Sequence, residues 1–321
     1  MLETHLLDYE GWTTRVSNTG FVLTPEVATT CRDLVEAACR TATREPTAVW
    51  DRYDQPSLLA RVDCTLLGPE GEGITLAEPT GPVFDLTAGT VSPSEVEMRP
   101  AAIGISARLS TEFTARLAVV RQNWPALRAT VSTNRSAHDD AAWLGPEHAT
   151  YGPHVPDDGS LVIVRAEPDE TAYHPLASRS ASLLHAKGNR SYGEKLGWWR
   201  WISSPSELPS SGAFVLKRRA RSKARDILIC RPSDKGSKPG MLSRSKTIER
   251  FTAIAAIEGG MYLQPYYPAM RFDRQFMILR IVFAFDLPTQ TWVCLGGVWN
   301  LLGNVIVHGT ERAIFGPLVL G

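Results

Sequence analysis

The side chains best placed to do chemistry in this sequence are three acids and one lysine. Asp63 lies in the strand-like segment "LLARVDCTLLG", and Glu95 and Glu97 lie two positions apart in "EVEMRP". Residues two apart on a strand point to the same face. If the two strands run side by side, they present all three carboxylates to one place. Magnesium suits such a set, because it takes oxygen ligands and keeps waters or phosphate oxygens beside one or two carboxylates. The plainer alternative is an edge strand with solvated acids. Lys217 ends the apolar segment "AFVLK", and five Arg or Lys residues follow in the eight positions from Arg218 to Arg225. That run suits a solvated basic hairpin, a nucleic-acid contact, or a lysine held out to a phosphate beneath a basic loop.

The composition narrows these alternatives. Lys plus Arg and Asp plus Glu each number 34 in 321 residues, so no global field gathers nucleic acid or anionic lipid. The basic stretch also lacks the interleaved aromatics that single-stranded nucleic acid stacks upon. No nucleic-acid partner is expected, and the basic cluster is a local site. The five cysteines show no C-x-x-C pair, which argues against a disulfide framework and a zinc site and for a reducing compartment. "MLETHLLDYEGW" does not read as a signal peptide. The most apolar stretches are interrupted by Arg280, Asp286, Pro288 and Asn300, so they read as paired strands, not as a membrane span. The expectation is a soluble, cytoplasmic, mixed α/β protein. P-loop, dinucleotide-binding, H-E-x-x-H and G-x-S-x-G patterns are absent.

The elements that must position these residues follow from periodicity and punctuation. Thr24 and Pro25 open a helix whose Val27, Cys31, Leu34, Val35 and Ala38 share one face. "LLARVDCTLLG" is a strand, "GPEGEG" a turn and "ITLAEP" the returning partner, with "TAGTVSPS" a linker before "EVEMRP". "LSTEFTARLAVVRQNW" is an amphipathic helix. "LRATVS" and "GSLVIVRAEP" are strands, the second of the continuous apolar kind buried in parallel sheets. Ser191 and Glu194 form a capping box that starts a helix carrying Trp198, Trp199 and Trp201 as core residues. "AFVLK", "DILIC" and "MYLQPYYP" are strands, and "SKTIERFTAIAAIEGG" is a helix closed by glycine. A meander of "FMILRIVFAF", "TWVCLGGVW" and "NVIVHG" ends the chain, where a lone His308 is more simply structural.

Taken in order, "RVD", "EVE", "NRSYGEKLGWW", "FVLKRRARSKARDI", "YLQP" and "GGVW" resemble the motif series of the circularly permuted ATP-grasp ligases of the glutathionylspermidine synthetase type. That family shows R-F-D, E-Y-N, N-K before a helix, V-L-K-P before a G-R-E-G loop, Y-Q and G-x-W. The ordered match runs from Arg61 to Trp299. The differences are E-x-E for E-x-N, Arg190 for the N-K lysine, Arg218 for proline, and Arg and Ser for the loop glycines.

The resemblance implies an α/β (mixed α+β) ATP-grasp fold, circularly permuted, with an inserted small Rossmann-like unit. Residues 1–107 would form the part carrying the acids, 108–185 the inserted unit, and 186–321 the nucleotide lid and C-terminal part. It implies ATP and Mg2+ as cofactors and small carboxylate and amine molecules as substrates. Asp63, Glu95 and Glu97 would hold the metal. Lys217, Arg190, Lys223, Gln264 and Tyr266 would contact ATP, the last two near adenine. Arg61 and Arg280 would stabilise the transferring phosphoryl group. On physical grounds alone, Arg280 sits inside an apolar strand and must meet either a phosphate or a structural carboxylate. The competing class is a non-catalytic protein that keeps the fold as a binding or scaffold module.

Overall fold

The computed structural model describes residues 2–9, 12–42, 59–76, 83–85, 90–97, 103–123, 127–130, 149–152, 161–164, 197–218, 227–235, 240–272, 274–303 and 313–321. The strands in chain order are β1 (His5–Tyr9), β2 (Trp12–Val16), β3 (Gly20–Leu23), β4 (Leu59–Leu67), β5 (Thr75–Leu76), β6 (Val83–Asp85), β7 (Thr90–Glu97), β8 (Leu127–Thr130) and β9 (Ala149–Gly152). They continue with β10 (Leu161–Val164), β11 (Arg200–Ile202), β12 (Phe214–Lys217), β13 (Leu228–Cys230), β14 (Met261–Pro265), β15 (Met270–Phe272), β16 (Gln275–Asp286), β17 (Thr291–Leu302) and β18 (Ile314–Leu320). The helices are α1 (Pro25–Ala42), α2 (Ile103–Leu109), α3 (Thr111–Gln122) and α4 (Arg244–Glu258). The protein is mixed α/β, as composition and periodicity indicate.

Three sheets organise the described residues. The large mixed sheet runs β1-β2-β18-β17-β16-β15-β5, with β4 and β7 branching from β16, and β3 and β6 branching from β18. A parallel sheet of order β10-β8-β9 holds the "LVIV" strand, paired in parallel with β8. An antiparallel sheet of order β11-β14-β12-β13 carries Lys217.

Cross-strand pairs assign the faces of the large sheet. Cys64 lies opposite Leu279, which lies opposite Trp299, and Cys64 Sγ is 4.0 Å from Cys31 Sγ on α1. That face is therefore the one α1 covers. Alternation turns Asp63, Arg280 and Val298 to the other face. The antiparallel sheet is two-faced as well. Phe214, Leu216, Met261, Leu263 and Cys230 pack with Phe251 of α4. Val215, Lys217, Tyr262 and Gln264 alternate to the opposite side, and Tyr262 joins the main core with Trp199.

Several local expectations change in the folded chain. The expected turn closes, with Gly68 N donating to Glu72 O, Gly73 bridging to Leu67 and Ile74 N donating to Leu66 O, but Thr75 and Leu76 then pair in parallel with Arg271 and Phe272 of β15. The "TVSPS" segment is not a linker but the first part of β7. Trp199 is buried as expected, yet Arg200–Ile202 is a strand, because Gly197 at φ 72° has already left helical geometry. A capping box does close at Ser204 and Glu207, around a single 3-10 turn. The Ser191 capping box and the "NVIVHG" strand lie outside the described residues.

Candidate functional site

β4 and β7 run antiparallel, with Arg61 opposite Glu97 and Asp63 opposite Glu95. β16 lies on the other flank of β4 and sets Arg280 opposite Asp63. Side chains directly opposite in a ladder share a face. Three strands far apart in sequence thus place two arginines and three acidic positions on one patch.

The described side chains close into an ion-pair network around Asp63. Arg280 Nε and Nη2 donate to Asp63 Oδ1 and Oδ2, each at 3.0 Å. Arg61 approaches the same carboxylate, with Nε 3.0 Å from Oδ1 and Nη2 3.3 Å from Oδ2. Arg61 Nη2 is also 3.9 Å from Glu95 Oε2. The Arg61, Asp63 and Arg280 side chains are only 6%, 6% and 11% exposed, against 24% for Glu95. Two guanidiniums balance the Asp63 and Glu95 charges, which is what makes the burial tolerable. The demand that Arg280 meet an anion is met by Asp63.

Both carboxylate oxygens of Asp63 are engaged, so it has none to spare for a cation. Among the described residues, no three His, Cys, Asp or Glu side chains group in a way that could hold a metal ion. The expected magnesium set fits only in part. Glu95 is the described carboxylate with an accessible edge, and the Glu97 side chain lies outside the described residues.

The second half of the site comes from the antiparallel sheet. Lys217 Nζ donates to the carbonyl of Ser94 at 2.9 Å, and Gln264 Nε2 donates to that of Pro93 at 3.3 Å. Both acceptors belong to β7, immediately before Glu95. The basic run begins with Arg218, whose Nε donates to Glu258 Oε1 of α4 at 2.7 Å, and continues outside the described residues. Arg218 is thereby committed to the fold. Arg190 and Lys223 lie outside the described residues.

Tyr266 follows β14 directly, and its amide donates to Ala213 O. Burial raises its phenol above the usual range, partly opposed by Arg271. From there the chain crosses back to the large sheet over β4. Thr65 Oγ1 donates to Pro268 O at 3.2 Å and accepts from Met270 N at 3.0 Å. Because Thr65 is two residues from Asp63 on the same face, this crossing is fixed to the strand that carries the ion pair.

A feature missed in the sequence is the irregularity in β7. Pro93 lies opposite Cys64 and Glu95 opposite Asp63, which leaves Ser94 as an extra residue in the ladder. Ser94 Oγ donates to Asp63 O at 3.0 Å. The available signal was Pro93 itself, since proline inside a strand marks an edge or a bulge.

No protein-family model matches the chain, and no curated protein is significantly similar to it. What this face can do follows from its charges. It sets two guanidiniums paired with Asp63, a partly accessible carboxylate and an ammonium reaching across from a second sheet beside one another.

Proposed function

We propose that the chain is an ATP-dependent carboxylate–amine ligase with a circularly permuted ATP-grasp fold. The observation that carries this reading is the meeting of Lys217 with β7 beside Glu95, which joins a strand lysine of one sheet to the acidic strands of another. ATP would lie between the two sheets, with Lys217, Arg190 and Lys223 on its phosphates and Gln264 and Tyr266 beside adenine.

The γ-phosphoryl group passes to a carboxylate oxygen of the substrate, giving ADP and an acylphosphate. The amine nitrogen then attacks the acyl carbon, loses a proton and expels inorganic phosphate, leaving an amide. Phosphoryl transfer asks mainly for positioning and charge compensation. Arg61 and Arg280 supply that charge, and Asp63 holds both guanidiniums in place so that little reorganisation is needed. Lys217 orients the triphosphate. Magnesium, when bound with the triphosphate, supplies further charge neutralisation; Glu95 and Glu97 would hold it, Asp63 being paired. Small carboxylates and amines are the partners, and the cytoplasm is the compartment that suits ATP and five free thiols.

A second reading is a catalytically inactive protein that keeps the fold as a binding or scaffold module. It is favoured by the saturation of Asp63, together with the E-x-E and Arg190 departures. The two separate in an assay of ADP release over mixed carboxylates and amines. The ligase reading requires ADP formation that depends on both substrates and disappears in Lys217→Ala. No magnesium-dependent binding of ATP, with no ADP from any pair, supports the second reading.

A further inference from the structure

We propose that Ser94, the extra residue of the β7 bulge, is a positioning residue that fixes the Lys217 ammonium against the acidic strands. The inference rests on the nucleotide reading of Lys217 and adds a residue that reading does not contain. In a regular strand, successive carbonyls point to opposite sides, so two adjacent ones cannot both face the same neighbour. In β7, Pro93 O accepts from Gln264 while the next carbonyl, Ser94 O, accepts from Lys217. The extra residue breaks the alternation and turns both carbonyls toward the antiparallel sheet.

Ser94 also reaches the other way. Its hydroxyl donates to Asp63 O, the backbone of the residue that orients both guanidiniums. A single residue therefore contacts the lysine and the ion-pair strand together, and Glu95 follows it directly in sequence. The bulge sets how far the ammonium stands from Asp63 and Glu95. The hydrogen bond from Lys217 Nζ to Ser94 O thus ties the direction of the ammonium to the bulge.

Deleting Ser94 tests this, because an unbroken ladder would keep Pro93 opposite Cys64 and Glu95 opposite Asp63. Mg·ATP affinity is measured by calorimetry for wild type, the deletion, Lys217→Met and the combination. The deletion is expected to weaken binding about tenfold, the loss of one charge-assisted hydrogen bond. The combined variant is expected to bind no more weakly than Lys217→Met alone, as action through the lysine requires. Ser94→Ala keeps the carbonyl and is expected to stay within about threefold of wild type. An unchanged affinity in the deletion, or effects that multiply in the combination, overturns the proposal.

A second readout is independent of nucleotide. Pulse labelling with acetic anhydride, read at Lys217 by mass spectrometry, is expected to run about fivefold faster in the deletion. If the deletion does not fold, Gln264→Leu releases the neighbouring contact and is expected to speed labelling about twofold. Unchanged labelling in the folded variant overturns the proposal, whereas a wild type that binds no Mg·ATP while labelling differs overturns the ligase reading alone.

Discussion

Lys217 and Ser94 lie 123 positions apart in the chain, yet the ammonium of one donates to the carbonyl of the other at 2.9 Å. The contact joins two sheets that also meet through Gln264 and Pro93 and through Tyr262 in the main core. It also brings the basic end of β12 to the strand that carries Glu95 and Glu97.

Asp63 is the centre of charge on this face, so its loss is expected to cost more than the loss of either arginine. Asp63→Ala leaves two buried guanidiniums without their shared partner and is expected to destabilise the fold by about 3–5 kcal/mol. Arg280→Met is expected to cost less, because Arg61 remains on the carboxylate. Urea denaturation of both variants checks the order. Asp63→Ala no less stable than Arg280→Met contradicts the network as described.

Thr65 ties the crossing between the two sheets to β4. Thr65→Val keeps the shape but leaves Met270 N and Pro268 O without their described partner, at an expected cost of about 1–3 kcal/mol. Thr65→Ser keeps the hydroxyl and is expected to recover most of it. A valine variant as stable as wild type would show that the crossing is held elsewhere.

Gly296 has φ 93°, and a Cβ built on it would lie 2.6 Å from Leu318 O. Gly296→Ala therefore meets both backbone strain and a carbonyl that belongs to the adjoining strand. The expected loss is about 2 kcal/mol or more, read as a lower urea midpoint. The "GGVW" motif is to that extent a packing requirement, whatever else it does.

Burial pushes the Cys294 thiol up to about 12 and the Cys230 thiol up to about 11. An unfolded thiol titrates near about 8.5. The folded chain keeps these protons where the unfolded chain has lost them, so their contribution is complete below about pH 8.5 and declines as pH rises toward the folded values. Cys294→Ala is expected to lose stability less steeply than wild type between about pH 8.5 and 10.5. Parallel stability curves for the two proteins would contradict that assignment.

Much of the fold was legible where one element decides its own shape. Thr24-Pro25 and Gly259 bound their helices because caps act locally. The alternation around Asp63 and Arg280 identified strands, and the burial cost of Arg280 demanded a counter-charge. Which counter-charge it meets was not legible, since that depends on β4 and β16 becoming neighbours across 217 positions. "TVSPSEVE" was misjudged because Pro and Ser mark linkers and bulged edge strands alike. Among the described residues β7 pairs with β4 alone, so the missing N–H of Pro93 is tolerated there. Thr75 and Leu76 left the expected hairpin for β15, a choice made by tertiary packing that no turn signal encodes.

The most direct measurement of the central claim is thermal unfolding with and without ATP and magnesium, on wild type and on Lys217→Ala. A ligand that binds the folded state alone raises the midpoint by mass action. The nucleotide reading predicts a rise that needs magnesium in the wild type and vanishes in the variant. An unchanged wild-type midpoint at millimolar ATP with magnesium, or an equal rise in Lys217→Ala, would contradict it.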